Sequence, residues 1–129
     1  ASVGIGTSET GTHKLAVDGT IGAREIVVET VEWSDFVFKK DYELKDLEEV
    51  ENFIEENNHL PDIPSEKEVL ENGIQVGEMN AKLLQKIEEL TLYMIEQNKE
   101  TKAMKAQLEN LAKENKELKV KITKLETTE

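Results

Sequence analysis

The sequence contains no cysteine, which excludes a disulfide framework and any thiolate metal site. It has no secretory signal pattern and no apolar run long enough to cross a bilayer, so membrane insertion is not expected. It has no cluster of Lys and Arg either: 16 basic residues stand against 28 acidic ones, for a net charge of −12. Phosphate-backbone binding needs clustered cations, so nucleic acid is not an expected partner. There is no phosphate-binding glycine loop, dinucleotide fingerprint, His-Glu-x-x-His motif or calcium-binding loop. His13 and His59 are isolated, and the acid pairs Glu48-Glu49 and Glu55-Glu56 read as the solvated face of a helix. No catalytic residue, metal ligand or cofactor is therefore expected. Glycine and proline are both missing from residues 78–129, so nothing interrupts helix there.

What is present falls into three regions. Residues 1–32 hold two basic and five acidic groups (−3), residues 33–78 four and fourteen (−10), and residues 79–129 ten and nine (+1). The acid excess of the middle reads first as solubility, with an acidic patch for a basic receptor or a cation as the alternative. The first region opens in strand-like sequence with no initiating Met and reads as a piece of something longer. Val3, Ile5, Leu15, Val17, Ile21, Ala23, Ile26 and Val28 recur near period two, with Asp18-Gly19 between runs; this predicts short strands joined by a tight turn. Such a ribbon is hardly stable alone and needs another layer.

In the middle region, Phe36-Val37-Phe38 reads as a short buried strand. Asp46 with Glu49, and Ser65 with Glu68, form capping boxes that predict one helix from Leu47 and a second ending at Asn72-Gly73. Between them, Pro61 and Pro64 predict a stiff extended linker that lays Leu60 and Ile63 into a small core with Trp33, Phe36, Phe38 and Phe53.

The third region spans ~50 residues, or ~75 Å of helix. With Ile87 at heptad position a, the a residues are Ile87, Met94, Thr101, Leu108, Asn115 and Ile122, and the d residues are Leu90, Gln97, Met104, Leu111, Leu118 and Leu125; Leu83 is the preceding d. Nine of these twelve a and d residues are apolar in a chain that is 37% hydrophobic, so the stripe is not compositional chance. An unbroken 3.5-residue period is the signature of a left-handed coiled coil. In a parallel coil, position g of one helix meets e of the next heptad on its neighbour. Glu100 with Lys105, Glu114 with Lys119 and Lys121 with Glu126 then pair opposite charges, and no such pair is like-charged. The prediction is a parallel homo-oligomer. Asn115 at a favours a dimer, whereas the polar step at Gln97 and Thr101 suits a wider core, so the seam leaves dimer and trimer open. Leu84, Leu92, Tyr93 and Ile95 are apolar but lie off the seam, so the first turns need a second packing partner that the later turns do not. Only about eighty residues remain for globular structure, a marginal core without association.

Several segments are distinctive together: Val3-Gly4-Ile5-Gly6-Thr7, Lys14-Leu15-Ala16-Val17-Asp18-Gly19-Thr20-Ile21, Trp33-Ser34-Asp35-Phe36-Val37-Phe38, His59-Leu60-Pro61-Asp62-Ile63-Pro64-Ser65, and the stretch from Gly77-Glu78-Met79-Asn80 to Tyr93. In that order, up to about Lys99, they resemble the C-terminal region of tail-fibre-like or surface-fibre proteins of Gram-negative bacteria and their phages. The resemblance implies an α+β, fibrous chain: an intertwined or β-prism-like shaft segment over 1–32, a small α/β cap over 33–77, and a coil over 78–129 that is a trimer rather than a dimer. It further implies an upstream fibre shaft of the same chain, an extracellular, virion-tail, injection-machine or cell-surface location, and a cell-surface receptor as a possible partner. Ser34-Asp35 followed by Lys39 is distantly similar to the stretch that opens the endosialidase-type intramolecular chaperone, which implies self-cleavage before Ser34 as an alternative role. That family's Arg-Leu-Lys-x-Asn-Ile run is replaced here by Phe36-Val37-Phe38-Lys39-Lys40-Asp41.

Overall fold

A computed structural model describes residues 1–30, 33 and 35–128. The chain is a small α+β protein dominated by one helix. In order, it forms β1 (Val3–Ile5), β2 (Leu15–Val17), α1 (Leu47–Asn57), α2 (Glu66–Asn72) and α3 (Val76–Thr127).

The strands pair in parallel, with Val3 opposite Leu15, Gly4 opposite Ala16 and Ile5 opposite Val17. This departs from the tight-turn arrangement predicted around Asp18-Gly19. The connection is the loop 6–14, which reverses twice to bring β2 back alongside β1. Gly6 (φ +75°) and Gly11 (φ +55°) supply left-handed backbone in that loop. Gly4 is needed for another reason: a Cβ there would lie 2.1 Å from the Thr7 carbonyl oxygen. The ladder is extended by Val3 N–H to Lys14 O (2.8 Å) and Asp18 N–H to Ile5 O (2.9 Å). Residues 21–30 form no strand, contrary to their period-two pattern. A strand needs a neighbouring edge, and in the single chain Val28 lies instead against α3, where a Cβ on Gly77 would fall 2.8 Å from Val28 Cγ1.

Phe36-Val37-Phe38 is likewise a turn rather than a strand, with Lys39 N–H bonded to Phe36 O and Tyr42 N–H to Lys39 O. α1 begins at Leu47 as predicted, but the Asp46 side chain makes no capping bond. It ends where Asn58 adopts φ +59° and donates to Ile54 O. The second box does form: Ser65 Oγ accepts from Glu68 N–H at 3.2 Å and donates to Glu68 Oε1, and Gly73 (φ +68°) closes α2. The linker between the helices bends rather than extending. Ile63 N–H bonds Leu60 O across a turn with Pro61 second and Asp62 third at φ +66°, a position Asp tolerates better than most residues.

The core is minimal. Among the described residues, Val37, Pro61 and Ala81 are the buried apolar side chains, joined by the buried polar Gln85. The predicted cap core is accordingly corrected. Trp33 (55% exposed), Phe36, Phe38 and Leu60 face solvent in the single chain, while Phe53 and Ile63 are half-buried and Val37 and Pro61 take the inner places. The alternation in Phe36-Val37-Phe38 marked two opposite faces, and the turn directs the smaller one inward. No Cα of α1 or α2 comes within 8 Å of a Cα of α3 among the described residues, so loop side chains hold the cap to the helix, not helix-on-helix packing.

The total surface is 11,769 Å². A compact monomer of 14.6 kDa exposes roughly 6,900 Å². The single chain thus leaves in water several thousand Å² that a finished fold of this size buries.

Candidate oligomerisation site

α3 carries two stripes, and the chain covers only one of them. Successive residues turn about 100° around a helix. Positions b, c, f and g therefore make a broad face away from the a/d seam. That face is occupied. Ala81 (b) and Gln85 (f) are buried, while Lys82 and Glu89 (c), Leu92 (f), and Lys86 and Tyr93 (g) are half-buried. From Met94 to Thr128 every residue is exposed.

A polar latch fastens the cap to this outer face. Tyr42 Oη donates to Glu89 Oε1. Lys86 Nζ reaches Glu89 Oε2 (2.9 Å) and Asp62 Oδ2 (3.1 Å), and Gln85 Nε2 donates to Glu89 Oε1 (3.3 Å). One turn further on, Tyr93 Oη donates to the Lys45 carbonyl at 2.6 Å. The turn at Pro61-Asp62 delivers Asp62 to this cluster, which accounts for its left-handed backbone. Around the latch, Phe36 packs on Tyr42 at 5.6 Å, His59 meets Phe53 edge-on at 5.3 Å, and the Lys45 ammonium lies over the Phe53 ring. His59 Nδ1 is engaged with the Leu60 carbonyl at 2.9 Å.

The electrostatics follow from this packing. Burial pushes the Tyr42 hydroxyl up, and its bond to the Glu89 carboxylate adds to the effect, placing its pKa at about 12. Burial alone would raise Glu89. The hydrogen bonds from Tyr42 and Lys86, with the Lys86 charge, outweigh it and hold the carboxyl below its ordinary value. Tyr93 is raised by burial and then by the Glu89 charge.

The seam is bare. Leu83, Ile87, Leu90, Met94, Met104, Leu108, Leu111, Leu118, Ile122 and Leu125 are each between 47% and 69% exposed. The polar seam residues Gln97, Thr101 and Asn115 are exposed as well, and Thr101 Oγ1 donates back to the Gln97 carbonyl. Glu100, Lys105, Glu114, Lys119, Lys121 and Glu126 take part in none of the ion pairs among the described residues. They remain available to a neighbouring helix.

Sequence reasoning missed the latch. Gln85, Glu89 and Tyr93 fall at i, i+4 spacing on one face. That was a readable sign of a polar stripe, but only Tyr93 stood out, as an apolar residue off the seam. Ser34, on which the self-cleavage alternative rests, lies outside the described residues. No helix among the described residues is long and apolar enough to cross a membrane. No family model, curated protein or solved structure matches the chain.

Proposed function

We propose that the chain is a non-enzymatic structural and assembly module, which trimerises and registers the C-terminal end of a tail-fibre-like or surface-fibre protein outside the cell. The division of labour on α3 carries this reading: the chain spends its own cap on the outer face and leaves the heptad seam uncovered along its length. An amphipathic helix of 52 residues with no partner for its apolar stripe is not a stable end state in water. A parallel coil of identical chains supplies the partner, brings the three charge pairs into register, and holds β1 and β2 of each copy beside those of the others. Alignment by the coil lowers the loop-closure cost of strand pairing between chains.

The test is the mass of the chain in solution by multi-angle light scattering at micromolar concentration. A trimer is expected, at three times the 14.6 kDa of one chain. A monomer overturns the reading, and a dimer overturns its stoichiometry.

A further inference from the structure

A cavity of about 150 Å³ opens where the cap meets the seam, its apolar wall made by Val50, Leu60, Pro61, Leu90 and Tyr93 and the rest by polar and charged groups of the cap and the latch. Leu60 and Leu90 stay 42% and 59% exposed at its mouth. Of its polar lining, Tyr42, Asp62, Lys86 and Glu89 are engaged with one another in the latch, and among the described residues no buried side-chain nitrogen or oxygen lacks a partner. The contact it offers a neighbour at the mouth, through Leu60 and Leu90, is therefore apolar. Leu90 is a d residue, so the cavity is continuous with the seam, and whatever lies along the seam reaches it.

We propose that this cavity is a socket for the e flank of a neighbouring copy of the chain, centred on that copy's Thr91; the inference rests on the assembly reading above. The g residues Lys86 and Tyr93 are bonded to the cap, Lys86 through Asp62 and Tyr93 through the Lys45 carbonyl. The edge of the cap therefore runs along the g flank. In a parallel coil that flank faces the neighbour's e residues, and Lys86 stands opposite Thr91. Thr91 suits the socket because its Oγ1 donates to the Ile87 carbonyl of its own helix at 2.8 Å, which turns the hydroxyl inward and leaves the methyl group to meet Leu60. Each cap then grips two helices, its own through the latch and the next through the socket. A slip of one heptad that presents the polar Asn98 in place of Thr91 loses this contact, so the socket disfavours that register.

The absence of native cysteine permits a direct test on the full chain. Under mild oxidation, the double variant Leu60→Cys with Thr91→Cys is expected to give a closed covalent trimer on denaturing, non-reducing gels. Mixing separately tagged single variants is expected to give the mixed dimer. An oligomer of unchanged mass that forms no 60–91 bond overturns the socket but not the assembly reading, as does a stronger bond in Leu60→Cys with Asn98→Cys. Loss of free thiols in a monomer band shows the two residues meet within one chain and likewise overturns it. A wild-type chain that is monomeric overturns both. Leu60→Asp gives a second answer without a disulfide. The oligomer is expected to dissociate about tenfold more readily per chain with the helix content by circular dichroism unchanged, and unaltered dissociation refutes the socket.

Discussion

Replacing Leu108 and Leu111 by Asp attacks the seam where nothing else in the chain touches it. Both side chains lie in the bare part of α3, 65% and 54% exposed, so the change disturbs no contact of the cap. Each leucine keeps on the order of 100 Å² of apolar side chain in water, which a coil would bury for ~2.5 kcal/mol at ~25 cal/mol per Å². In the proposed trimer, three chains with two sites each lose ~15 kcal/mol, about eleven decades in the dissociation constant. Crowding six carboxylates into two adjacent layers adds a further penalty, because buried like charges must be hydrated or protonated. Light scattering should therefore report a chain of single mass throughout the micromolar range. Circular dichroism should show helix loss confined to the rod, since an isolated helix lacks the packing that sustains it. Leu108→Met with Leu111→Met, which keeps the apolar volume, should stay assembled. An Asp variant that retains the wild-type mass would refute the seam.

Three other outcomes follow from the latch and the helix start. Glu89→Gln removes the charge that Lys86 and Tyr42 contact, and should cost about 1–3 kcal/mol of cap docking, read as faster amide exchange over residues 39–63 with the oligomer mass unchanged. The latch also sets a pH window. The lowered Glu89 carboxyl contributes stability above its unfolded value, lost as pH falls through the depressed folded one, whereas the raised Tyr42 hydroxyl contributes stability below its unfolded pKa of about 10 that is lost as pH rises toward about 12. Cap docking should weaken at both extremes, and Tyr42→Phe should remove one of the two tyrosinate transitions in an absorbance titration, leaving the raised one of Tyr93. Gly77→Ala should destabilise the chain, because its Cβ would meet Val28 at 2.8 Å, but should stabilise a Val28→Ala background, where only the gain in helix propensity of up to ~1 kcal/mol remains; thermal melts of the four-variant cycle decide.

The long helix and its seven-residue stripe were legible in the sequence because both are local. Unbroken helix-compatible residues from Glu78 onward and a fixed spacing of Leu, Ile and Met need no knowledge of what packs where. The capping box at Ser65 and Glu68, and the stop at Gly73, were readable for the same reason: three or four adjacent residues complete them. The sequence also showed that α3 has apolar residues off the seam. It could not show what covers them, since that depends on segments 23 to 48 residues away meeting the helix: Asp62 with Gln85 and Lys86, Tyr42 with Glu89, and Lys45 with Tyr93. The parallel pairing of β1 with β2 was hidden because a period of two marks a strand but not its neighbour or direction. The inward choice of Val37 over Phe36 and Phe38 was hidden because alternation defines two faces without saying which one the turn buries. Local pattern determined the helices, their ends and the stripe that asks for other copies. Only tertiary structure decided which face of α3 the chain keeps for itself, because that choice rests on side chains distant in sequence converging on one surface.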